Sequence, residues 1–296
     1  MKATSLRALG ENAVLGRLLS TLHPACPMTV GPGDDCAVVP RDEQWDTLLK
    51  TDVVVEGIHF TRDTQPELIG RKALARAVSD IAAMGGIPEY ALITLLIHPE
   101  RDIAQAEGIY RGLSALAAQF NISIAGGETS SLPQDGLIIN VALTGKVERG
   151  QAILRSGGSP GDIICVTGPL GGSYPGFGHL TFVPRVALAR ELMQAAIRPT
   201  AMMDLSDGLA VDLPRLAAAS GCSFRINRET IPCTPGCSVE QALSDGEDYE
   251  LLLTLPPSAA ESLCTGSTLP LYPIGTLCPP DSECSPLSGG WQHFLA

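Results

Sequence analysis

The feature that most constrains this chain is a recurring setting in which a carboxylate stands among apolar or small residues, usually with a glycine close by. Val30 to Pro40 reads VGPGDDCAVVP, so Asp34 and Asp35 sit between a Gly-Pro-Gly turn and the apolar run Cys36 to Val39. An apolar run bounded by Gly and Pro reads as a short buried strand. Charge at the mouth of such a strand is costly unless it is compensated. The pattern returns at Asp52 in KTDVVVEGIHF, Asp80 in AVSDIAAMGG, Glu128 in AGGETS, Asp204 and Asp207 in MMDLSDGL, and Glu247 and Asp248 in SDGEDYELLL. Any fold of this chain must carry those acids to places where their charge is met.

The elements that carry them are legible from periodicity. CAVVP, WDTLLKTDVVVEG, YALITLLIH and ISIAGG read as strands. In GLIINVALTGKV, Leu137, Ile139, Val141 and Leu143 alternate with a period of two, which predicts a half-buried strand. Leu74, Ala77, Val78, Ile81 and Met84 instead share a helical period, as do Ile109, Leu113, Leu116 and Phe120. Glu148 to Gly161 is rich in Gly, Ser and charge and is read as a junction. It divides the chain into an N-terminal domain, 1–148, and a C-terminal domain, 149–296. The second opens with the strand DIICVTG and a Gly-rich loop, PLGGSYPGFG, with a helix starting near Pro184 and another from Gly208 to Gly221. CSFRIN, YELLLTL and LYPIGTL supply its further strands. Both halves mix helices and strands, so the predicted class is α+β.

Length and charge narrow the function. A chain of 296 residues can bury two cores. Its net charge of −12, with no basic patch, argues against nucleic acid and anionic membranes as partners. No apolar run approaches the roughly 18 to 20 residues that span a bilayer. The opening MKATSLRALGENAVLG is too broken by charge for a signal peptide, so the expected location is the cytoplasm. Nine cysteines without Cys-x-x-Cys spacing are then read as reduced, incidental thiols.

Taken singly, each acid could cap a helix or close a turn. Taken together, they outnumber the Lys and Arg nearby, and converging carboxylates repel. Two unit charges about 4 Å apart interact by roughly 4 kcal/mol at an effective dielectric near 20. Hard divalent cations relieve that repulsion, and Mg²⁺ prefers carboxylates, water and phosphate oxygens. The residues therefore point to a multi-metal phosphate site. Other chemistries lack their motifs: there is no P-loop, no G-x-G-x-x-G turn and no H-E-x-x-H. Gly157 to Gly161 matches G-x-S-x-G, but Pro160 and a following strand rule out a nucleophile elbow.

These motifs together resemble thiamine-monophosphate kinase, a family of the ATP-binding superfamily of aminoimidazole ribonucleotide synthetase. The likeness runs through GPGDDCAVV, TDVVVEGIHF, KALARAVSDIAAMGG, GGETS, RSGGSPGD, DLSDGL, GEDYELL and the closing GGWQHF. The resemblance implies two α+β domains, a homodimer, and ATP-dependent phosphorylation of thiamine monophosphate to thiamine diphosphate. It implies Mg²⁺ ions held by Asp35, Thr51, Asp52, Asp80, Glu128, Asp204 and Asp207. ATP would meet Tyr110, Gly127, Glu128, Arg155 and Ser206, and thiamine monophosphate would meet His59, Glu247 and Trp291. No general base is expected, since direct in-line transfer needs alignment and charge neutralisation. Two departures stand out: Lys50 precedes Thr51 where the family usually has a small hydroxyl residue, and Glu128 takes a place often held by Asp. A superfamily relative forming acyl- or imidoyl-phosphates, or a nucleotide-binding regulator without turnover, are the alternative readings.

Overall fold

The structure, a computed structural model, describes residues 5–174, 176–195, 198–266 and 269–294. Two helices, α1 (Leu6–Leu9) and α2 (Glu11–Leu19), come first. The first sheet follows, with β1 (Ala37–Pro40), β2 (Trp45–Val55), β3 (Ile87–Ile97), β4 (Ser123–Ser131) and β5 (Leu137–Glu148) in the order β1-β2-β5-β3-β4. Its neighbours are antiparallel except β3 and β4. That parallel pair needs a crossover, which helix α4 (Ile103–Gln119) supplies; helix α3 (Pro66–Ala83) links β2 to β3.

Local chemistry explains both helices. Pro66 occupies the first turn of α3, where its missing N–H costs nothing, and the Asp102 side chain caps α4 by accepting from Ala104 N–H at 2.9 Å. The two pack so closely that a Cβ on Gly70 would stand 1.9 Å from the Ile109 carbonyl oxygen. On β5 the predicted alternation holds over the whole strand, with Leu137, Ile139, Val141 and Leu143 buried against α3 and their neighbours half-buried on the other face.

The second sheet comprises β6 (Ile163–Val166), β7 (Ala201–Asp204), β8 (Ser223–Ile226), β9 (Leu251–Leu255) and β10 (Tyr272–Cys278). It is antiparallel throughout, in the order β7-β9-β6-β10-β8. Helices α5 (Gly178–Thr181), α6 (Val186–Gln194), α7 (Leu209–Ala219), α8 (Val239–Ser244) and α9 (Pro257–Gly266) complete it. Sequence periodicity left β7 unassigned, because AMMD is too short to show a period. Its four residues are all buried, and tertiary pairing to β9 makes it a strand.

Helix α3 is the hub. It packs on β2 and β5 of the first sheet and on α5, α6 and β7 of the second half. One apolar cluster therefore runs from Leu48, Ile81 and Val141 through to Leu192, Met202 and Leu253. Burying each such side chain contributes roughly 1.5–3 kcal/mol, enough in sum to fix how the two sheets face each other. On the opposite face of the first sheet Leu49, Val53, Tyr90 and Leu92 stand exposed, uncovered by any described residue.

Candidate active site

Between the sheets lies a cleft of about 590 Å³, walled on one side by Glu11, Asn12 and Leu15 of α2. Asp80 enters from α3, Asp204 from the end of β7, Lys50 and Asp52 from the helix-facing side of β2. Asp35, just ahead of β1, joins Asp80 and Asp204, and one carboxylate oxygen from each lies within 4.8 Å of the others. All three are buried. Asp35 Oδ1 accepts from Arg155 Nη2 at 2.6 Å, Asp80 Oδ1 from Lys50 Nζ at 2.6 Å, and Asp204 Oδ2 from Ser79 Oγ at 2.7 Å.

The electrostatics follow from that crowding. Burial, then the Asp35 charge, push the Asp204 carboxyl up to about 6. Burial also pushes Asp80 well above the usual carboxylate range, although Lys50 pulls it back. Burial works against the Lys50 ammonium, yet Asp80 and Asp52 hold its proton more tightly than usual. Asp35 Oδ2 is buried without a hydrogen-bond partner in the protein. An orphaned carboxylate oxygen beside two further buried acids is a hard-oxygen donor set, and it fits Mg²⁺.

A smaller chamber of about 80 Å³ adjoins the cleft, with Arg76, Ser206, Asp207, Tyr249 and His293 lining both. His59, Glu247 and Trp291 line the chamber alone. Lys72, fully buried, donates to the His59 carbonyl at 2.5 Å, to His179 Nδ1 at 2.7 Å and to Glu247 Oε2 at 2.7 Å. Burial lowers its ammonium to about 8 against the pull of Glu247. For Glu247 burial favours the acid form, but bonds from His179 and Lys72 outweigh it and hold the carboxyl below its ordinary value. Glu247 also sits at φ 55°, a left-handed conformation that costs a non-glycine residue of order 1 kcal/mol and marks a site built for position. His59 Nδ1 accepts the Val55 N–H at 3.0 Å, and burial with nearby Arg76 lowers its imidazole to about 4, so the ring is neutral.

This architecture has known relatives. Residues 33–147 match the AIR synthase related protein N-terminal domain, and residues 159–283 match the corresponding C-terminal domain. A thiamine-monophosphate kinase of Bacillus subtilis (strain 168) is 34% identical, the match covering 86% of this chain and 87% of that protein. The chain belongs to the thiamine-monophosphate kinase family. A family member from Rhodopirellula baltica is 37% identical over 84% of this chain and 83% of its own. The solved structure of AaThiL complexed with AMPPCP and TMP superposes with a TM-score of 0.87 at 30% identity, covering 99% of this chain and all of that one. The α+β class expected from the sequence is therefore the family's.

Within this family fold, the residues expected at the site separate into two groups. Asp35, Asp52, Asp80, Asp204, Asp207 and Ser206 gather in or against the cleft, and His59, Glu247 and Trp291 gather in the chamber. Trp291 is tied there by its main-chain N–H, which donates to the Asp207 carbonyl at 2.9 Å. Arg155, expected on ATP, lines the cleft while bonded to Asp35. Thr51 is turned away: adjacent strand residues point to opposite faces, so Asp52 faces α3 while Thr51 Oγ1 meets Asn140 Oδ1 at 3.0 Å on the open face. Glu128 stands exposed on β4, paired in register with Thr94. Its neighbour Gly127 lies so close to β3 that a Cβ would come within 1.8 Å of the Ile93 carbonyl oxygen. Tyr110 sits exposed on α4, outside both cavities.

The cations correct one expectation. The acids are not left without basic partners, because Lys50, Arg76 and Arg155 reach Asp80, Asp52 and Asp35 from distant parts of the chain. Arg76 bonds Asp52 at 3.1 Å, not Asp80, its neighbour one helical turn on, and Arg215 of α7 pairs with Asp207 and Asp212. Lys72, Arg215 and His179 escaped sequence reasoning. The one local signal was Lys72 itself, a lysine on the buried stripe of α3 four residues before Arg76.

Proposed function

We propose that this chain phosphorylates thiamine monophosphate with ATP to thiamine diphosphate, the last step of thiamine diphosphate synthesis, by Mg²⁺-assisted in-line transfer. The observation that carries the reading is the buried Asp35–Asp80–Asp204 cluster between a nucleotide-sized cleft and the His59–Glu247–Trp291 chamber. Asp35 and Asp204, with Asp52 and Asp80 beside them, would hold Mg²⁺, and Asp207 would serve at the rim. Bound there, Mg²⁺ supplies charge neutralisation for two phosphate groups brought together in an acidic protein.

The chain's own residues do the rest. Arg76, lining both cavities, positions a guanidinium where the acceptor phosphate would pass between them. Trp291 offers an aromatic face to a cationic thiazolium ring, and Glu247, pinned by Lys72 and His179, offers a fixed carboxylate to the same ligand. Neutral His59 has Nδ1 engaged by Val55, so it orients the chamber and takes no proton. The attacking group is already an oxyanion, which is why no general base is required.

The expected residues that lie outside both cavities, Thr51 and Glu128 among them, read as part of a pairing surface. The open face of the first sheet carries exposed Leu49, Val53, Tyr90 and Leu92, and Thr51 and Glu128 lie on or beside it. A second copy of the chain laid on that face would cover it and bring Gly127 and Glu128 near a nucleotide site. We take the protein as a homodimer on that ground. No described helix is long and apolar enough to cross a membrane. Cys26, Cys36, Cys222, Cys233, Cys237, Cys278 and Cys284 are thiols outside any disulfide, which suits a reducing compartment such as the cytoplasm.

Phosphorus NMR of the protein with Mg²⁺, ATP and thiamine monophosphate tests the reaction. Thiamine diphosphate and ADP should appear together, and unphosphorylated thiamine should give neither. ATP left unchanged, or cleaved without thiamine diphosphate, would refute the assignment.

A further inference from the structure

Lys50 is the residue whose placement goes beyond that reading. It lies on β2 between buried Leu48 and Asp52, and its side chain points at α3, not to solvent. Its Nζ stands 2.6 Å from Asp80 Oδ1, one of the three carboxylates whose oxygens converge within 4.8 Å. An ion bound to Asp80 Oδ1 would sit about 2.0–2.1 Å from that oxygen. The ammonium already takes that approach, and two cations there would repel.

We propose that Lys50 is a built-in cation of the acidic cluster, holding Asp80 in place of one divalent ion, so that the site takes one divalent ion fewer than its carboxylates alone would gather. The inference rests on the Mg²⁺ reading of the cleft and specifies which oxygens remain for the metal. Asp35 Oδ2, buried and unpartnered, and the Asp204 oxygen that Ser79 does not bond are the donors left for the metal, whereas Asp80 Oδ1 is taken by Lys50. Charge agrees: Asp35, Asp52, Asp80 and Asp204 face Lys50, Arg76 and Arg155, leaving a single negative charge. One divalent ion therefore inverts the local charge, and a second on Asp80 would meet a site already positive. Removing the ammonium leaves two net negative charges and opens Asp80 Oδ1.

The test is Mn²⁺ binding without nucleotide, followed by the electron paramagnetic resonance of the free ion. Lys50→Ser should bind one more Mn²⁺ per chain than the native protein. Lys50→Met, which keeps the volume and removes the charge, should leave Asp80 unpaired and melt lower in EDTA. Equal stoichiometry, with dissociation constants within about twofold, in native protein and Lys50→Ser would overturn the proposal. If the variants fail to fold, anomalous diffraction from native crystals soaked in Mn²⁺ decides it. A peak on Asp35 and Asp204 with Lys50 still on Asp80 supports the inference, and a peak ligated by Asp80 with Lys50 displaced overturns it. No bound Mn²⁺ in either protein would overturn the metal reading and this inference together, whereas Mn²⁺ on Asp80 leaves the metal reading standing and removes only the role of Lys50.

Discussion

Asp204→Asn should make the metal-free protein more stable while removing its activity. Asp204 is buried beside Asp35 and Asp80, and its carboxyl is pushed up to about 6 from an ordinary 3.8. Because the folded value lies above the unfolded one, the contribution to stability is full below pH 3.8 and is lost as pH rises through about 6. Above that pH the ionised group costs the metal-free fold about 3 kcal/mol. Coulomb's law gives the same scale, since a pair of charges 4.8 Å apart repels by about 3–4 kcal/mol at an effective dielectric near 20. Asparagine keeps the shape, its amide oxygen still accepts from Ser79 Oγ, and its neutral amide faces Asp35 without repulsion. Scanning calorimetry in EDTA at pH 7.5 should show a melting temperature about 5–10 °C above that of the native protein. The gap should close near pH 4, where the native carboxyl is protonated, and narrow in Mg²⁺, which stabilises only a chain that binds it. Turnover should fall by at least about a hundredfold, as charge stabilisation of the transferring group is lost. A melting point in EDTA equal to or below the native one, or turnover within about tenfold, would refute the argument.

Three further outcomes are expected. Neutral His59 has a folded value of about 4 against an ordinary 6.5, so its contribution is present above pH 6.5 and lost as pH falls through 4. About 3 kcal/mol should disappear over that range, and His59→Asn, which keeps an acceptor for the Val55 N–H, should flatten denaturant midpoints measured from pH 7 to pH 4. Gly127→Ala places a Cβ 1.8 Å from the Ile93 carbonyl and should cost at least about 3 kcal/mol in urea unfolding, whereas Gly31→Ala, whose Cβ would meet only Met28 Cε at an ordinary 3.8 Å, should stay within about 0.5 kcal/mol; similar losses at both positions would sink the steric argument. Leu92→Glu, on the exposed face of the first sheet, should halve the mass seen by light scattering with little change in melting temperature, and a native protein that is already monomeric would end the pairing proposal.

Much of this molecule could be read locally. The period-two run of β5, the helical stripes of α3 and α4 and the acids beside glycines all appear in windows of about a dozen residues, because backbone geometry sets those periods. The recurrence of carboxylates with too few local cations pointed to metal-assisted phosphate chemistry before any fold was known. The resemblance places Thr51 with Asp52 at the metals, yet a strand sends neighbours to opposite faces, and only the sheet's packing against α3 decides which face meets the cleft.

Local patterns along the chain carry the α+β class, the strands of the first sheet with α3 and α4, the acidic character of the site and, through dispersed motifs, the family. Tertiary structure alone decided the charge pairing. Lys50 and Asp80 lie 30 positions apart, Arg155 and Asp35 120, and Lys72 and Glu247 175. No local pattern links such residues. They meet because burying the apolar faces of both sheets around α3 leaves one arrangement, and in its low-dielectric cleft each carboxylate is tolerable only beside a cation or a bound metal.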